Sequence, residues 1–595
     1  MTESQMILFK FTHLLDRLSG QHVAVYGLGG HTEYALSHLA DKSAIVGLMD
    51  AKRVGETVFG LRVYGVDEIV GIANAIVIVA RDAVMRLIYD RIKHLEQNGI
   101  TIFNVVGDNL AEKFKAADKE YEDNPYWDSS LEQLKATVAT HDVISFDIFD
   151  TLLMRRIIRP HEELGFETEK LLNVPRRDMV ECMDYALSLG KRVFILSDMY
   201  FSSQQLGELL TLNGISGYEE VIVSCEYNQT KESGELYEIL KSKAGSVSIL
   251  HIGDNLQADV KNAKAHGVDT FFVMSAYDML LNSPMYELLK DVLTVGDSRM
   301  IGEFAANVLN SPFALCAERG RVSINDIRTV TSYFAPIVGE FLRYLVRELK
   351  DYGDDTLVLF LARDGWIIKR LYDWMNAEFS LNMPKSIYFL ASRIAVSDKY
   401  ADYRGNYCKY AKKLGVFAYE RVIAYDLATK GTTVAKLTEN FGIPIELICF
   451  ASFNINDKFS GGMTHSLLGD FSYYDLSYNF LRLYELLEIM SFPHKTQFLC
   501  IDNNLNAVYA PQESENGREW DTIELFQNCL CESIKCSARM PDWLNRNICV
   551  KTADNILGLI GTRYATAGEA VKSAFVFDSP LESVMPTAWW DRLVM

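Results

Sequence analysis

The sequence of 595 residues has no apolar run long enough to cross a bilayer, so a membrane-linked substrate would have to be reached by a peripheral enzyme. No signal peptide opens it, and its ten cysteines form no spaced framework. Both absences favour the reducing cytoplasm, at the inner face of the membrane if the substrate is lipid-linked. The one cysteine cluster, Cys529, Cys531 and Cys536, has no fourth ligand nearby, which argues against a zinc site.

Basic residues are also in deficit. The 59 lysines and arginines stand against 79 aspartates and glutamates, which gives a formal net charge of −20. This balance argues against a general attraction to nucleic acid, and we expect no nucleic-acid partner. An anionic substrate must therefore be held by local basic side chains and backbone groups.

What the sequence does contain is an alternation of short apolar runs with amphipathic stretches, in three series. This alternation is typical of parallel sheets with crossover helices. We therefore predict a multidomain α/β protein with three Rossmann-like parallel-sheet domains plus helical segments. The predicted bounds are 1–115, 136–290, 291–510 with a helical lead-in, and 511–595 as a mixed helical extension. The pattern does not predict an oligomeric state.

The second series carries polar residues at or after the ends of its apolar runs. They are Asp147, Ser197, Lys231, Asp254 and Asp259. Because active sites of open α/β sheets lie at the carboxyl ends of the strands, we expect these side chains to converge. A carboxylate attacks a phosphate dianion poorly unless a lysine and a metal ion cancel the repulsion, and Mg²⁺ suits carboxylate ligands.

These motifs resemble, in the same order, those of the haloacid dehalogenase (HAD) hydrolase superfamily. The resemblance implies that Asp147 attacks phosphorus and forms an aspartyl-phosphate, that Ser197 hydrogen-bonds the phosphoryl group and that Lys231 neutralises charge. It implies a Mg²⁺ site at the positions of Asp147, Phe149, Asp254 and Asp259. The short spacing between the first two motifs predicts a small helical cap.

One position departs from the HAD pattern. Phosphatases of the family carry a second Asp two residues after the nucleophile, as general acid for the leaving group, and that position here is Phe149. Asp150 is the next candidate for a catalytic acid; a regular strand would point it to the other face, and a bend at the strand end would bring it back. The pattern fits a good leaving group, a substitute acid or a lapsed site.

The third series contains RVIAYDLATKGTT over residues 421–433, an apolar run followed by an acidic residue and a Thr/Gly-rich turn. Such a turn offers backbone N–H groups and hydroxyls to a phosphate. The segment resembles the phosphoribosyl pyrophosphate loop of type I phosphoribosyltransferases, although Tyr425 replaces the first of two usual acidic positions. The resemblance implies that Asp426 binds the ribose hydroxyls and that a 5-phosphate is held by Thr429, Lys430, Gly431, Thr432 and Thr433.

Two other segments fit the same family. LVLFLARDGW places Arg363, Asp364 and Gly365 where the family has its pyrophosphate loop, and YFLASR places Arg393 where several members use a basic residue on pyrophosphate. The resemblance implies that phosphoribosyl pyrophosphate binds here with Mg²⁺. The alternative is a Rossmann-like sheet in which these turns are merely tight.

The first series carries a partial dinucleotide fingerprint. Gly27, Gly29 and Gly30 follow the first apolar run, Asp50 ends the next one, and Thr32 replaces the third glycine. The region resembles the small Rossmann-like domains of sugar-modifying and polysaccharide-assembly proteins. A nucleotide is a candidate ligand, and a structural role without a ligand is the alternative.

The two enzyme resemblances imply consecutive steps on one product. A 5-phosphoribosyl unit is transferred to a glycan acceptor, and the HAD region then removes its 5-phosphate, as in bacterial ribofuranosyltransferases that build surface polysaccharides such as O-antigen. The acceptor would be a lipid-linked or growing glycan. Two alternatives are a salvage enzyme whose acceptor is a nucleobase and a non-catalytic scaffold or sensor; the latter is suggested by Phe149, Tyr425 and Thr32.

Overall fold

The computed structural model describes most of the chain and divides it into two compact units, Met1–Trp127 with Leu280–Asp291, and Asp128–Met279 with Val292–Met595. Residues 280–290, which we predicted at the end of the 136–290 domain, belong to the first unit; the division into four domains stays a prediction. The structure does not describe residues 1–2, 51–52, 80–84, 86–87, 90, 113–120, 159–163, 291, 293, 454–462, 472–477, 512–519, 541, 561–563, 569–570, 573–575, 578–586 and 589–595, nor the side chains of residues 3–6, 30–31, 398, 482, 489, 576–577 and 587–588.

The described residues form an α/β protein with several mostly parallel sheets, which confirms this part of the predicted fold class. No helix in the described ranges is both long and apolar enough to span a membrane. Short 3-10 helices occupy Asp67–Ile69, Lys93–Asn98, Pro125–Asp128, Pro284–Leu289, Asp398–Tyr403, Val416–Ala418 and Trp543–Asn545.

The first unit is built on a six-stranded sheet of order β3-β4-β2-β1-β5-β6, parallel except for the β3–β4 pair. The strands β1 and β5 are buried along their whole length because separate apolar clusters cover the two faces of the sheet. The described helices are Glu3–Arg17 and Gly30–His38, and the strands are β1 Val23–Tyr26, β2 Ile45–Met49, β3 Thr57–Val58, β4 Leu61–Tyr64, β5 Ala75–Ile78 and β6 Thr101–Asn104.

The second unit begins with a five-stranded parallel sheet, the second sheet, of order β11-β10-β7-β12-β13. Its strands are β7 Val143–Phe146, β10 Arg192–Ser197, β11 Glu220–Val223, β12 Ile249–Gly253 and β13 Asp269–Phe272. An antiparallel pair, β8 Leu153–Arg155 and β9 Asn173–Pro175, follows the central strand β7. The described part of the insertion between them contains one short helix, Phe166–Leu172. The other helices of this region are Leu131–Ala139, Arg177–Ser188, Ser203–Leu212, Ser224–Tyr227, Glu235–Ala244, the π-helix Leu256–Asn262, Ala263–Ala265 and Ala276–Leu281.

A further parallel sheet, the third sheet, has the order β16-β15-β17-β19-β21. Its strands are β15 Thr356–Leu361, β16 Lys385–Phe389, β17 Arg421–Tyr425, β19 Glu446–Cys449 and β21 Thr464–Ser466. The remaining strands form small sheets: β14 Val322–Ile324 with β25 Ala565–Ala567, β18 Ala428–Thr429 with β20 Ala451–Phe453 and β22 Asp470–Phe471, β23 Phe498–Ile501 with β24 Ala507–Tyr509, and β26 Val576–Phe577 with β27 Thr587–Ala588.

Long helices pack beside the third sheet. The lead-in helix Ile327–Leu349 contacts Trp520–Ala538 of the C-terminal extension, where the rings of Phe334 and Phe526 meet edge to face with centroids 5.7 Å apart. The extension is therefore part of the same unit as the third sheet. The other helices of this region are Val295–Val308, Gly365–Phe379, Arg404–Lys413, Thr432–Phe441, Phe480–Met490 and Val550–Gly558.

Candidate active sites

The first candidate site surrounds Asp147 at the carboxyl end of the second sheet. Asp147 follows β7, the central strand, and its backbone N–H donates to the carbonyl of Ile252 on β12 at 2.9 Å. Asp254 comes just after β12, so the neighbouring strands bring the two carboxylates to the same edge. Ser197, buried at the end of β10 on the other side of β7, lies at this edge as well.

A lysine joins two of the carboxylates. Lys231 Nζ donates to Asp147 Oδ1 at 2.6 Å and lies 2.7 Å from Asp259 Oδ1, and all three residues are buried. Burial alone would lower the pKa of Lys231, but the charges of Asp147 and Asp259 outweigh it and raise that pKa well above its usual value. Lys231 is therefore a fixed positive charge beside the expected nucleophile.

Asp198, which we did not predict, positions this lysine. Its carboxylate accepts hydrogen bonds from the backbone N–H groups of Lys231, at 2.8 Å, and Glu232, at 3.1 Å. Asp198 directly follows the predicted Ser197, but an exposed Asp after a strand is common, so the sequence carried no signal for this role.

A second unpredicted residue, His251 on β12, supports Asp259. Its Nε2 lies 3.2 Å from Asp259 Oδ1, and its Nδ1 lies 2.6 Å from Ser145 Oγ on β7. Asp259 also accepts a hydrogen bond from the Asn255 backbone N–H at 2.9 Å. Burial raises the pKa of Asp259, but Lys231 and His251 outweigh burial and lower it, so this carboxylate stays ionised.

Three carboxylates meet closely enough to hold a metal ion. Ligand atoms of Asp147, Asp254 and Asp259 all lie within 4.8 Å of one another. Burial, with the charge of Asp259, raises the pKa of Asp147 to about 7 despite Lys231. Burial and the neighbouring carboxylates also raise the pKa of Asp254 well above its usual value. One lysine thus leaves an excess of negative charge, which fits a divalent cation.

Phe149, the fourth position at which the resemblance implied metal, offers no side-chain ligand. Its ring packs against the core of the second sheet and lies 4.0 Å from the guanidinium carbon of Arg155. The carboxylates that could hold a metal ion are those of the other three predicted residues.

The backbone turns sharply at Asp150. This residue has a left-handed backbone with φ 56°, and its carbonyl accepts a hydrogen bond from the buried Arg176. Its charge contributes to the raised pKa of Asp254. Burial raises the pKa of Asp150 itself, against the opposing charges of Arg155 and Arg176. A catalytic role for Asp150 stays a prediction.

The second candidate site lies at the carboxyl end of the third sheet. Arg363 and Asp364 follow β15, and Asp426 follows the adjacent strand β17. The two loops touch, since the Leu427 backbone N–H donates to Asp364 Oδ2 at 3.2 Å. A Cβ at Gly365 would come within 2.8 Å of the Phe360 backbone, so this glycine permits the close approach of helix and strand.

The Thr/Gly-rich turn is followed by a helix. Gly431 has φ 72°, and the helix starts at Thr432. Thr429 Oγ1 accepts a hydrogen bond from the Gly431 N–H at 2.9 Å. Lys430 and Thr432 are exposed, whereas Thr433 is buried.

The charges of this second site interact. Burial and the charge of Asp364 raise the pKa of Asp426 to about 7, against Arg393, which is exposed. Glu488, from the helix Phe480–Met490, shares the same neighbours: burial and Asp364 raise its pKa to about 7 against Arg363 and Arg393. Glu488 was not predicted, because a single acidic residue in an amphipathic helix is usually a solvated one.

In the first unit, the glycine-rich segment forms a strand–turn–helix. Gly27 has φ 99°, and a Cβ there would lie 3.2 Å from the Val79 carbonyl. Gly29 precedes the helix Gly30–His38, and Asp50 follows β2. Nucleotide binding to this turn stays a prediction.

Comparisons with known protein-family models and with curated proteins gave no match. The resemblances to HAD hydrolases and phosphoribosyltransferases therefore rest on the residues themselves.

The carboxylate trio leads to a test by metal titration. Asp254→Asn removes one carboxylate ligand, so we expect its affinity for Mg²⁺ or Mn²⁺, measured by calorimetry, to fall by about tenfold or more. The matched control is Asp278→Asn, a partly buried Asp bonded to Ser275 and outside the trio. Equal affinities in the wild type and Asp254→Asn would show that the trio does not bind the metal.

Proposed function

We propose that the Asp128–Met279 region hydrolyses a phosphate monoester through an aspartyl-phosphate on Asp147. The observation that carries this proposal is Lys231 Nζ, held 2.6 Å from Asp147 and 2.7 Å from Asp259, with Asp254 beside them. Such a lysine offsets the repulsion between a carboxylate and a phosphate dianion. Mg²⁺, held by Asp147, Asp254 and Asp259, would neutralise charge on the phosphoryl group.

In the first step an oxygen of Asp147 bonds to phosphorus while the bond from phosphorus to the ester oxygen breaks. The leaving oxygen takes the electron pair and needs a proton. Water then cleaves the aspartyl-phosphate and releases inorganic phosphate. Ser197, buried at the same edge of the sheet, is the proposed hydrogen-bond donor to the phosphoryl group.

We propose that Asp150 protonates the leaving oxygen, a role that HAD phosphatases give to an Asp at the position of Phe149. Two observations support this assignment: the chain bends at Asp150, whose charge acts on Asp254, and burial raises the pKa of Asp150, which favours the protonated form an acid needs.

Leaving-group dependence tests the acid. Asp150→Asn should hydrolyse an alkyl phosphate such as ribose 5-phosphate about 100-fold more slowly. Its rate with p-nitrophenyl phosphate should change little, because nitrophenolate leaves without a proton. Asp147→Asn should lose both activities, as expected for the nucleophile. Equal losses on both substrates in Asp150→Asn would rule out the acid role.

A second function, 5-phosphoribosyl transfer from phosphoribosyl pyrophosphate, is favoured by the convergence of two loops. Arg363, Asp364 and Gly365 meet the turn of residues 426–433 at one edge of the third sheet. Exposed cations at Arg393 and Lys430 suit a diphosphate and a 5-phosphate, whereas Asp426 suits ribose hydroxyls. The helix that begins at Thr432 presents free backbone N–H groups to a phosphate.

The two functions make consecutive steps. Transfer of the phosphoribosyl group to an acceptor leaves a 5-phosphate, and the Asp147 site removes it, so the net product is a ribofuranosyl unit. We propose a lipid-linked or growing glycan as the acceptor, in surface polysaccharide synthesis at the inner face of the membrane. Each of the three parallel sheets is then the core of a Rossmann-like domain. A nucleobase acceptor would instead give activity with free bases and none with glycans.

Calorimetry with phosphoribosyl pyrophosphate and Mg²⁺ tests the second site. Asp426→Ala removes the carboxylate assigned to the ribose hydroxyls, so its affinity should fall by about tenfold or more. Asp373→Ala, which removes an exposed carboxylate paired with Lys369 on the helix Gly365–Phe379, should bind as the wild type does. The transfer function is contradicted if the wild type does not bind the ligand or if Asp426→Ala binds it equally well.

A further inference from the structure

One face of the helix Phe480–Met490 packs on the chain that follows β19 of the third sheet. Phe480, Tyr484 and Glu488 are spaced four residues apart and so share a face. The Phe480 ring stacks on Phe450, directly after β19, with centroids 4.9 Å apart, and the Tyr484 ring lies 5.9 Å from that of Phe453 on β20. These contacts direct the same face of the helix, and Glu488 with it, toward this segment.

The chain just beyond this helix contacts the predicted pyrophosphate loop. The ring of Phe492, two residues after the helix ends, lies 3.9 Å from the guanidinium carbon of Arg363. Glu488 itself is half-buried and interacts electrostatically with Arg363, Asp364, Arg393 and Asp426. A helix distant in sequence thus brings a carboxylate into the Asp426 site.

The three carboxylates of this site differ in their hydrogen bonds. Asp364 accepts one from the Leu427 N–H at 3.2 Å, and Asp426 accepts one from the same N–H at 3.1 Å. Within the described ranges, no hydrogen bond or ion pair engages the carboxylate of Glu488. Its oxygens are therefore available to a substrate.

We propose that Glu488 is a catalytic residue of phosphoribosyl transfer, the base that takes the proton of the acceptor hydroxyl. The acceptor oxygen bonds to C1 of the ribose, the bond from C1 to pyrophosphate breaks, and pyrophosphate leaves with the electron pair. The acceptor proton goes to the Glu488 carboxylate. This inference rests on the proposed transferase function.

Two features agree with this role. Tyr425 occupies a position at which phosphoribosyltransferases usually have an acidic residue, and Glu488 supplies a carboxylate to the site from another element. Burial, with Asp364 and Asp426, raises the pKa of Glu488 to about 7 against the two arginines. A base with a pKa near the working pH combines ionisation with proton affinity.

Azide provides a direct test, because this nucleophile carries no proton to remove. Pyrophosphate release from phosphoribosyl pyrophosphate and Mg²⁺ is measured with water and with azide as acceptor. Glu488→Gln should be about 100-fold slower than the wild type with water and close to the wild type with azide. Glu485→Gln, on the same helix but off this face, should match the wild type with both acceptors.

The azide reaction also shows whether the variant is folded. An unchanged rate of Glu488→Gln with water would overturn the proposal, and so would an equal loss with water and azide, which indicates a binding or structural role. If the wild type releases pyrophosphate with neither acceptor, the transferase function fails and this inference falls with it. If the wild type releases pyrophosphate but Glu488→Gln is not slowed selectively with water, the transferase function stands and Glu488 is not its base.

Discussion

A buried lysine between two buried carboxylates is the interaction on which the Asp147 site depends. Charges removed from water are costly unless they are paired in good geometry, and Lys231 is paired at 2.6 and 2.7 Å. Asp198 fixes the backbone of the lysine, and His251 fixes Asp259. Because Lys231 pairs with Asp147 and Asp259, the ionised form of Asp254 is disfavoured by burial and by its neighbouring carboxylates. The same arrangement therefore holds Asp147 in place and leaves a group of carboxylates that could bind a cation.

The Asp426 site also places buried carboxylates beside basic side chains. Its carboxylates lie beside Arg363 and Arg393, and their pKa values rise because burial and mutual repulsion outweigh these cations. A diphosphate would pair with the arginines of this site, and a divalent cation bound with it would pair with the carboxylates. The link between the sites is chemical, since a transferred 5-phosphoribosyl group carries the phosphate monoester that the Asp147 site is proposed to cleave.

Several residues that directly follow apolar strands could be predicted from the sequence. Asp147 and Asp254 follow apolar runs, so the parallel sheet itself predicted that they would meet, and the structure brings them together with Asp259. Arg363 and Asp426 follow adjacent strands in the same way.

Three other features needed the folded chain. The direction of the chain at Asp150 depends on a left-handed backbone that the local sequence did not predict. His251 looks like an ordinary strand residue until Asp259 is seen beside it. Glu488 is oriented by aromatic contacts between the helix Phe480–Met490 and residues distant in sequence. Such long-range packing cannot be predicted from the pattern of a single sequence.

The most direct test follows the 5-phosphate through both sites. Phosphoribosyl pyrophosphate with a radioactive 5-phosphate is incubated with Mg²⁺, lipid-linked glycans and either the wild type or Asp147→Asn. We expect the wild type to release labelled inorganic phosphate as pyrophosphate appears, and Asp147→Asn to release pyrophosphate while the label stays on the glycan. Labelled phosphate released equally by both proteins, or label that stays on the glycan with the wild type, would contradict consecutive action on one product.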